Sequence, residues 1–376
     1  MENIQQQLID LLESRRKEGL FRQLSVLDGR TDFCSNDYLG LAGDPVLAAS
    51  IARDFEALPA EARKNGATGS RLISGHSSLI EQFEKECAAF HGSETALLFS
   101  SGYDANIGLI SSLPQEGDVI FCDKLLHASL IDGLRLSKAE RRIFKHNNLD
   151  DLVHLLDQYP AETRKWIVVE SVYSMDGDVA PLRALVELKN KYQAELIVDE
   201  AHSGGVYGTE GQGLVYELGL CEDVFARVIT FGKAWGNAGA VVLGSLALKE
   251  YLVNFARPFI YSTAPTPAHV SALLSTLHYL PSQNEARQKL QENIAFFRAN
   301  CHSDAWGDSQ TAIQTFFVTG NEAVRAKAAS ASEFAIKPIV FPTVAKGKER
   351  IRITLSANHT SEQLLSLIQA LEWNNL

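Results

Sequence analysis

Lys233 closes a β-branched run, R-V-I-T-F-G-K, and is followed by A-W-G-N-A-G-A. A strand ending there presents an amine at the carboxyl edge of a buried sheet, where low dielectric favours the neutral, nucleophilic amine. That is how a lysine is prepared to condense with a carbonyl. A second run, L-I-V-D-E-A-H, reaches Asp199. If the two strands are parallel, the Asp199 carboxylate comes to the same edge, where it can pair with a protonated ring nitrogen of a heterocyclic guest.

Further candidates lie at other strand ends. Ser100-Ser-Gly-Tyr103 stands between a strand and a helix expected from about Asp104, the kind of junction whose backbone N–H groups bind phosphate. His127, in L-L-H-A-S-L, is a ring able to stack on an aromatic guest, and Ser174, in S-M-D-G after W-I-V-V-E, can bring a hydroxyl near it. An ordinary turn explains Asp-Gly equally well. The letters D-E-A-H also occur in nucleic-acid helicases, but those need an upstream G-x-x-x-x-G-K-[ST], which this sequence lacks. Nor does any further ligand stand at metal-binding spacing from Asp199 and His202, so no metal site is expected. Arg352, in R-I-R-I-T-L, offers a planar fork to a substrate carboxylate. Alternation along the strand is expected to turn Arg350 and Arg352 opposite ways, so that at most one serves a given site, and edge-strand charges account for the pair as well.

Short apolar segments recur at 96–99, 119–122, 166–169, 196–198, 228–230 and 240–243, with helical stretches between them. Their β-branched content and weak alternation suit strands buried on both faces of a mostly parallel sheet, an α/β fold. Ser78 to Glu81 has capping-box spacing with Gly92 as a helix stop, Pro181 opens another helix, and Thr360 to Gln363 opens the last. Beyond about residue 267 the pattern becomes helical, leading to a smaller C-terminal unit.

At 376 residues and 45% hydrophobic, the chain can bury a large core. No apolar run approaches the roughly 18–20 residues that span a bilayer, and the opening M-E-N-I-Q-Q-Q has neither the basic nor the apolar region of a secretory leader, so a cytoplasmic location is expected. Cys34, Cys87, Cys122, Cys221 and Cys301 are scattered singly, without zinc or disulfide-framework spacing. A net charge of −11 disfavours nucleic acid and anionic membrane as partners. Of the basic clusters, 15–17 and 141–142 read as solvated helix faces, while 346–352 adjoins the candidate Arg352.

Taken in order, S-N-D-Y-L-G-L (35–41), G-S-R-L-I-S-G-H (69–76), S-S-G-Y-D-A-N (100–106), H-A-S-L (127–130), S-M-D-G-D (174–178), D-E-A-H (199–202), T-F-G-K (230–233), Y-S-T (261–263) and P-T-V-x-x-G-x-x-R-I-R, ending at Arg352, form a consistent set. With them the chain resembles the α-oxoamine synthases, fold-type-I pyridoxal phosphate enzymes, over essentially its whole length. The resemblance implies a mostly parallel central sheet flanked by helices, with an N-terminal segment at 1–40, a large cofactor-binding domain at 41–265 and a small α+β domain at 266–376. It implies that Lys233 joins pyridoxal 5'-phosphate covalently, that Asp199 meets the pyridine nitrogen and His202 the phenolate oxygen, and that His127 lies on the ring face with Ser174 nearby. Gly102, Tyr103 and Thr230 fall to the phosphate end. Arg352, Thr343 and Arg22 fall to the substrates, and Asn36 and Thr263 belong to segments that reach a neighbouring subunit's site, making the assembly a homodimer. The reaction implied is decarboxylative condensation of an amino acid, L-alanine favoured, with an acyl-CoA or acyl carrier-protein thioester, pimeloyl by expectation. A glycine-using acetyltransferase is the alternative enzyme, and a cofactor-free regulatory or structural subunit the alternative outside catalysis. Two departures stand out: Ile80 replaces a common histidine, and K-P-I-V-F-P-T-V replaces a more familiar Arg-Pro-Pro-Thr-Val.

Overall fold

The computed structural model describes residues 3–24, 26–27 and 29–373. Two compact units divide the chain. The large unit, Asn36–Glu292 with Ser356–Asn358, is built on a seven-stranded sheet. In spatial order its strands are Thr95–Phe99, Ala240–Gly244, Ala226–Thr230, Ala194–Asp199, Lys165–Glu170, Val119–Asp123 and Glu140–Phe144. Ala240–Gly244 is antiparallel to both neighbours, and the remaining adjacent pairs are parallel. Val119–Asp123 and Lys165–Glu170 are buried at every position, which is why they read as continuous apolar runs and not as alternation. Fully buried residues such as Ile120, Ile167, Ile197 and Val228 form this core, each contributing about 1.5–3 kcal/mol.

One strand escapes the apolar pattern. Glu140–Phe144 is the sheet's outer edge, exposed along most of its length, and Arg141 and Arg142 stand on it and not on a helix. An edge strand has water on its open side, so its residues can stay charged.

The helices follow local signals, with small shifts of boundary. Ser101 caps Gly102–Ser112, its Oγ accepting the Asp104 N–H at 3.0 Å. Ser77, and not Ser78, caps Ser78–Phe90, whose buried stripe is Ile80, Phe83, Glu84, Cys87 and Ala88; Leu79 and Phe90 are only half-buried. Gly92, just past that helix, has φ +63°, a conformation in which a side chain is strained. Pro181 is the N-cap of Leu182–Tyr192. The helix Pro267–Tyr279, which the sequence reading assigns to the smaller unit, buries Val270, Leu273 and Leu277 and packs on Pro45–Ala57 and Ser78–Phe90, within the large one.

The small unit, Met1–Ser35, Asn293–Leu355 and His359–Leu376, contains an antiparallel sheet in the order Lys337–Ile339, Arg350–Thr354, Ile313–Phe317. Thr31–Asp32 pairs in parallel with Phe334–Ala335. Ser361–Glu372 opens with a complete capping box between Thr360 and Gln363. Arg15, Arg16 and Lys17 occupy the last turn of the exposed helix Ile4–Lys17, as a solvated face requires. Arg350 and Arg352 are two residues apart on one strand, so they share a face and do not oppose each other; both are buried. The Arg350 guanidinium lies over the Phe317 ring, 4.8 Å from its centroid, and Arg352 donates to Thr354 Oγ1 at 3.0 Å.

Candidate active site

Glu170, Asp199 and Thr230 are the last residues of three adjacent parallel strands, with Glu170 and Asp199 side by side in register. Their side chains, with Lys233, line a cavity of about 370 Å³. Gly102, Tyr103, Asn106, His127, Ser129 and His202 line it too. A parallel sheet presents its carboxyl ends at such a place because the crossovers all return to the opposite edge.

Asp199 is buried, and both of its oxygens are engaged by neutral donors. Ala201 N–H donates to Oδ1 at 2.9 Å and Asn106 Nδ2 to Oδ2 at 2.7 Å. Glu170 accepts the His127 backbone N–H at 2.5 Å, and the backbone of Ser174 also donates to it. Burial, then the neighbouring Asp199 charge, pushes the Glu170 carboxyl up to about 8, with Lys233 pulling the other way. His127 is held below its ordinary pKa chiefly by burial, Asp199 opposing and Lys233 assisting. Tyr38 and His202 are hydrogen-bonded, the phenol oxygen lying 2.5 Å from Nδ1. At the mouth, Tyr103 donates its hydroxyl to the Asp132 carboxylate and meets His127 edge-on, with centroids 6.5 Å apart.

The loops carrying His127 and Ser174 are tied together from outside. His146 bonds Asp123 through Nδ1 at 2.8 Å and Asp178 through Nε2 at 2.5 Å. Burial lowers its pKa, but the two carboxylates outweigh burial and raise it to about 10. The two segments are therefore clamped by a charged imidazolium.

The structure brings together Gly102, Tyr103, His127, Asp199, His202, Thr230 and Lys233. Ser174 is buried in the turn beyond Glu170, outside the cavity lining. Thr263 is bridged to Ser70 and lines a separate narrow cleft with Arg71 and Phe259. Asn36 accepts from the Tyr38 hydroxyl at 3.4 Å, two residues along the chain. Arg22, Thr343 and Arg352 belong to the small unit, where Arg22 and Thr343 are exposed.

A family model described as aminotransferase class I and II matches residues 29–371. The chain belongs to the aminotransferase class I and II family. An 8-amino-7-oxononanoate synthase of Chromobacterium violaceum is 43% identical over 91% of this chain and 89% of its own length. Among solved structures, an 8-amino-7-oxononanoate synthase of Francisella tularensis superposes with a TM-score of 0.77 at 31% identity, covering 92% of this chain and 98% of that one. A serine palmitoyltransferase from S. paucimobilis, with pyridoxal phosphate bound together with myriocin, gives 0.85 at 28% identity over 97% and 96% of the two chains.

For a member of this aminotransferase family, the cavity residues fit pyridoxal 5'-phosphate. A buried carboxylate acceptor, an amine and a capped helix N-terminus line one open cavity. Gly102 is required at that N-terminus, since a Cβ there would meet the stiff Thr230 side chain at 2.5 Å. Reading from sequence missed Glu170, Asn106, Ser129 and Tyr38 as members of the constellation. Each was inside a quoted motif. Asn106 had a positional signal as well, since a residue four beyond Gly102 shares its helix face.

Proposed function

We propose that the chain is a pyridoxal 5'-phosphate-dependent acyltransferase of the α-oxoamine synthase kind, acting in biotin biosynthesis. It joins L-alanine to a pimeloyl thioester of CoA or of acyl carrier protein, giving 8-amino-7-oxononanoate, carbon dioxide and the free thiol. The observation that carries this reading is the facing of Lys233 and Asp199 across one cavity at the ends of adjacent parallel strands. The names of the 8-amino-7-oxononanoate synthase relatives support the substrate pair.

When bound, the cofactor supplies an electron sink for the electron pair left on the α-carbon, first after proton removal and again after loss of carboxylate. The protein does the rest. Asp199 would accept the ring N–H and keep that proton in place, His127 would cover the ring and His202 would meet the phenolate oxygen, while Ser174, outside the cavity lining, is assigned to the cofactor's neighbourhood on resemblance. Gly102 and Tyr103, at the start of their helix, and Thr230, at its strand end, would hold the phosphate. Lys233 retains the group between turnovers and, as a free amine, takes the α-proton of alanine and returns one to the product. Arg352 is assigned to the amino acid carboxylate, Thr343 to substrate contact and Arg22 to the acidic acyl chain, all three on resemblance. Asn36 and Thr263 are assigned to a neighbouring subunit's site, making the working unit a homodimer. Five cysteines without a disulfide suit a reducing, cytoplasmic setting.

The test is a comparison of kcat/KM for L-alanine with pimeloyl-CoA against glycine with acetyl-CoA. The expected result is clear preference for the first pair. Preference for the second overturns the biotin assignment and keeps the acyltransferase, and loss of the visible cofactor band on borohydride reduction checks the Lys233 linkage independently.

A further inference from the structure

Asn106 is almost wholly buried in the helix Gly102–Ser112, with its side chain at the cavity. Its Nδ2 donates to Asp199 Oδ2 at 2.7 Å and to Ser129 Oγ at 2.9 Å. Ser129 Oγ lies 2.7 Å from His127 Nδ1, and the Ser129 backbone N–H meets the same nitrogen from 3.2 Å. Counting donors gives every bond a direction. A backbone N–H can only donate, so Nδ1 carries its lone pair and the ring proton sits on Nε2. Ser129 Oγ then receives one Asn106 hydrogen and sends its own to Nδ1. At the far end Asp199 receives Asn106 on one oxygen and Ala201 N–H on the other, so both carboxyl oxygens are fixed in place by donors. Among the described residues, Asn106 Oδ1 is buried without a hydrogen-bond partner. Turning the amide over would pair that oxygen with the Asp199 carboxylate, so the orientation keeps both donors and leaves the acceptor unused.

We infer that Asn106 and Ser129 are positioning residues that couple the two cofactor-facing groups, fixing the orientation of the Asp199 carboxyl and holding His127 neutral with its proton on Nε2. This deepens the reading of the cavity as a pyridoxal phosphate site and rests on it. A proton on Nδ1 would point at the Ser129 N–H and force the hydroxyl to turn away, so the network resists forming the imidazolium. The groups around His127 are Asp199 and Lys233, whose charges act on the ring in opposite senses, Glu170 on its backbone N–H and the Tyr103 ring at its edge. A neutral imidazole beside a protonated pyridine avoids setting cation against cation, and an ionised Asp199 is the charge that keeps the pyridine protonated.

The test uses the protein as purified, labelled with 15N-histidine, with His127 assigned by the loss of its signal in His127→Asn. Long-range 1H–15N spectra from pH 5 to 8 should show His127 neutral and protonated on Nε2 throughout. In Ser129→Ala the same ring should titrate within that range, and Ser129→Thr, which keeps the hydroxyl, should restore the parent behaviour. Asn106→Ala should also free the ring to titrate. It should weaken pyridoxal phosphate binding about ten- to a hundredfold, the equivalent of one charge-assisted hydrogen bond. A parent His127 that protonates like an exposed histidine, or an Ala variant at either position with unchanged ring titration and unchanged cofactor affinity, overturns the inference. A parent protein that develops no visible band with pyridoxal phosphate overturns the functional reading instead, a failure recognisable without the ring spectra.

Discussion

Asp199 and Glu200 are consecutive, both buried, and treated in opposite ways. Glu200 faces an arginine: Arg227 Nε reaches it at 2.7 Å, with Ser203 Oγ and Val215 N–H each at 2.9 Å. Arg227 is itself completed by the carbonyls of His91 and Gln212. This pair is charge-neutral and closed. Asp199 receives the neutral donors Asn106 and Ala201 and faces a cavity, beside a second carboxylate, Glu170. A buried anion supplied mainly with neutral donors, next to another acid, is costly in a low dielectric. The difference separates a carboxylate that holds the fold from one kept for a cationic guest.

Breaking the cavity side should cost chemistry, and breaking the closed pair should cost stability. Lys233→Ala should lower turnover by about 10⁴-fold or more, the upper range for a proton-transferring group, while urea unfolding stays close to the parent. Asp199→Asn keeps the shape and loses the charge. α-Hydrogen exchange of L-alanine, followed by loss of deuterium label, should slow by about 10²- to 10⁴-fold, again with little change in folding. Glu200→Gln should do the reverse. Leaving Arg227 buried without its anion should destabilise by about 3–5 kcal/mol in urea, while kcat per folded molecule at low temperature changes only a few-fold. Equal stability losses in the Asp199 and Glu200 variants would erase the distinction.

Two smaller effects sharpen it. Arg352→Ala should weaken L-alanine binding, read from the cofactor spectrum, about tenfold or more, and Arg352→Lys should recover only part of this because an ammonium lacks the bidentate fork. Glu170 titrates higher folded than its ordinary value of 4.5, at about 8. Its favourable contribution is therefore present below about 4.5 and lost as pH rises through 8. Glu170→Gln, which carries no such charge, should gain stability relative to the parent across that window, and parallel stability–pH curves for the two proteins would contradict the assignment.

The apolar strands and the Lys233–Asp199 pair were legible because burial on both faces leaves a continuous hydrophobic run that stops where polar chemistry begins. Glu140–Phe144 was not, since an edge strand is selected for charge and resembles a solvated helix face. Asn106 and Ser129 escaped for a related reason. A polar residue in a helix looks solvent-facing until the helix is laid on the sheet, and only then does its side chain meet a carboxylate from a distant strand. The paired arginines at 350 and 352 show a simpler lesson: their spacing alone requires a common face. Ile80 lies in the core stripe of its helix beside Phe83 and Cys87. Its departure from histidine is thus absorbed by packing within the large unit.

The charged border at Glu140–Phe144 also bears on how the protein behaves when handled. An open strand exposes unpaired amides and carbonyls to which another chain can add, and a long apolar edge promotes stacking into fibrils. Here Glu140 and Arg141 are exposed and Arg142 is held partly outward by Gln158 and Tyr159, so an incoming strand must desolvate ions before it can pair. Concentrated samples, including those stripped of cofactor for spectroscopy, are therefore protected along this border against growth of the sheet from one molecule into the next.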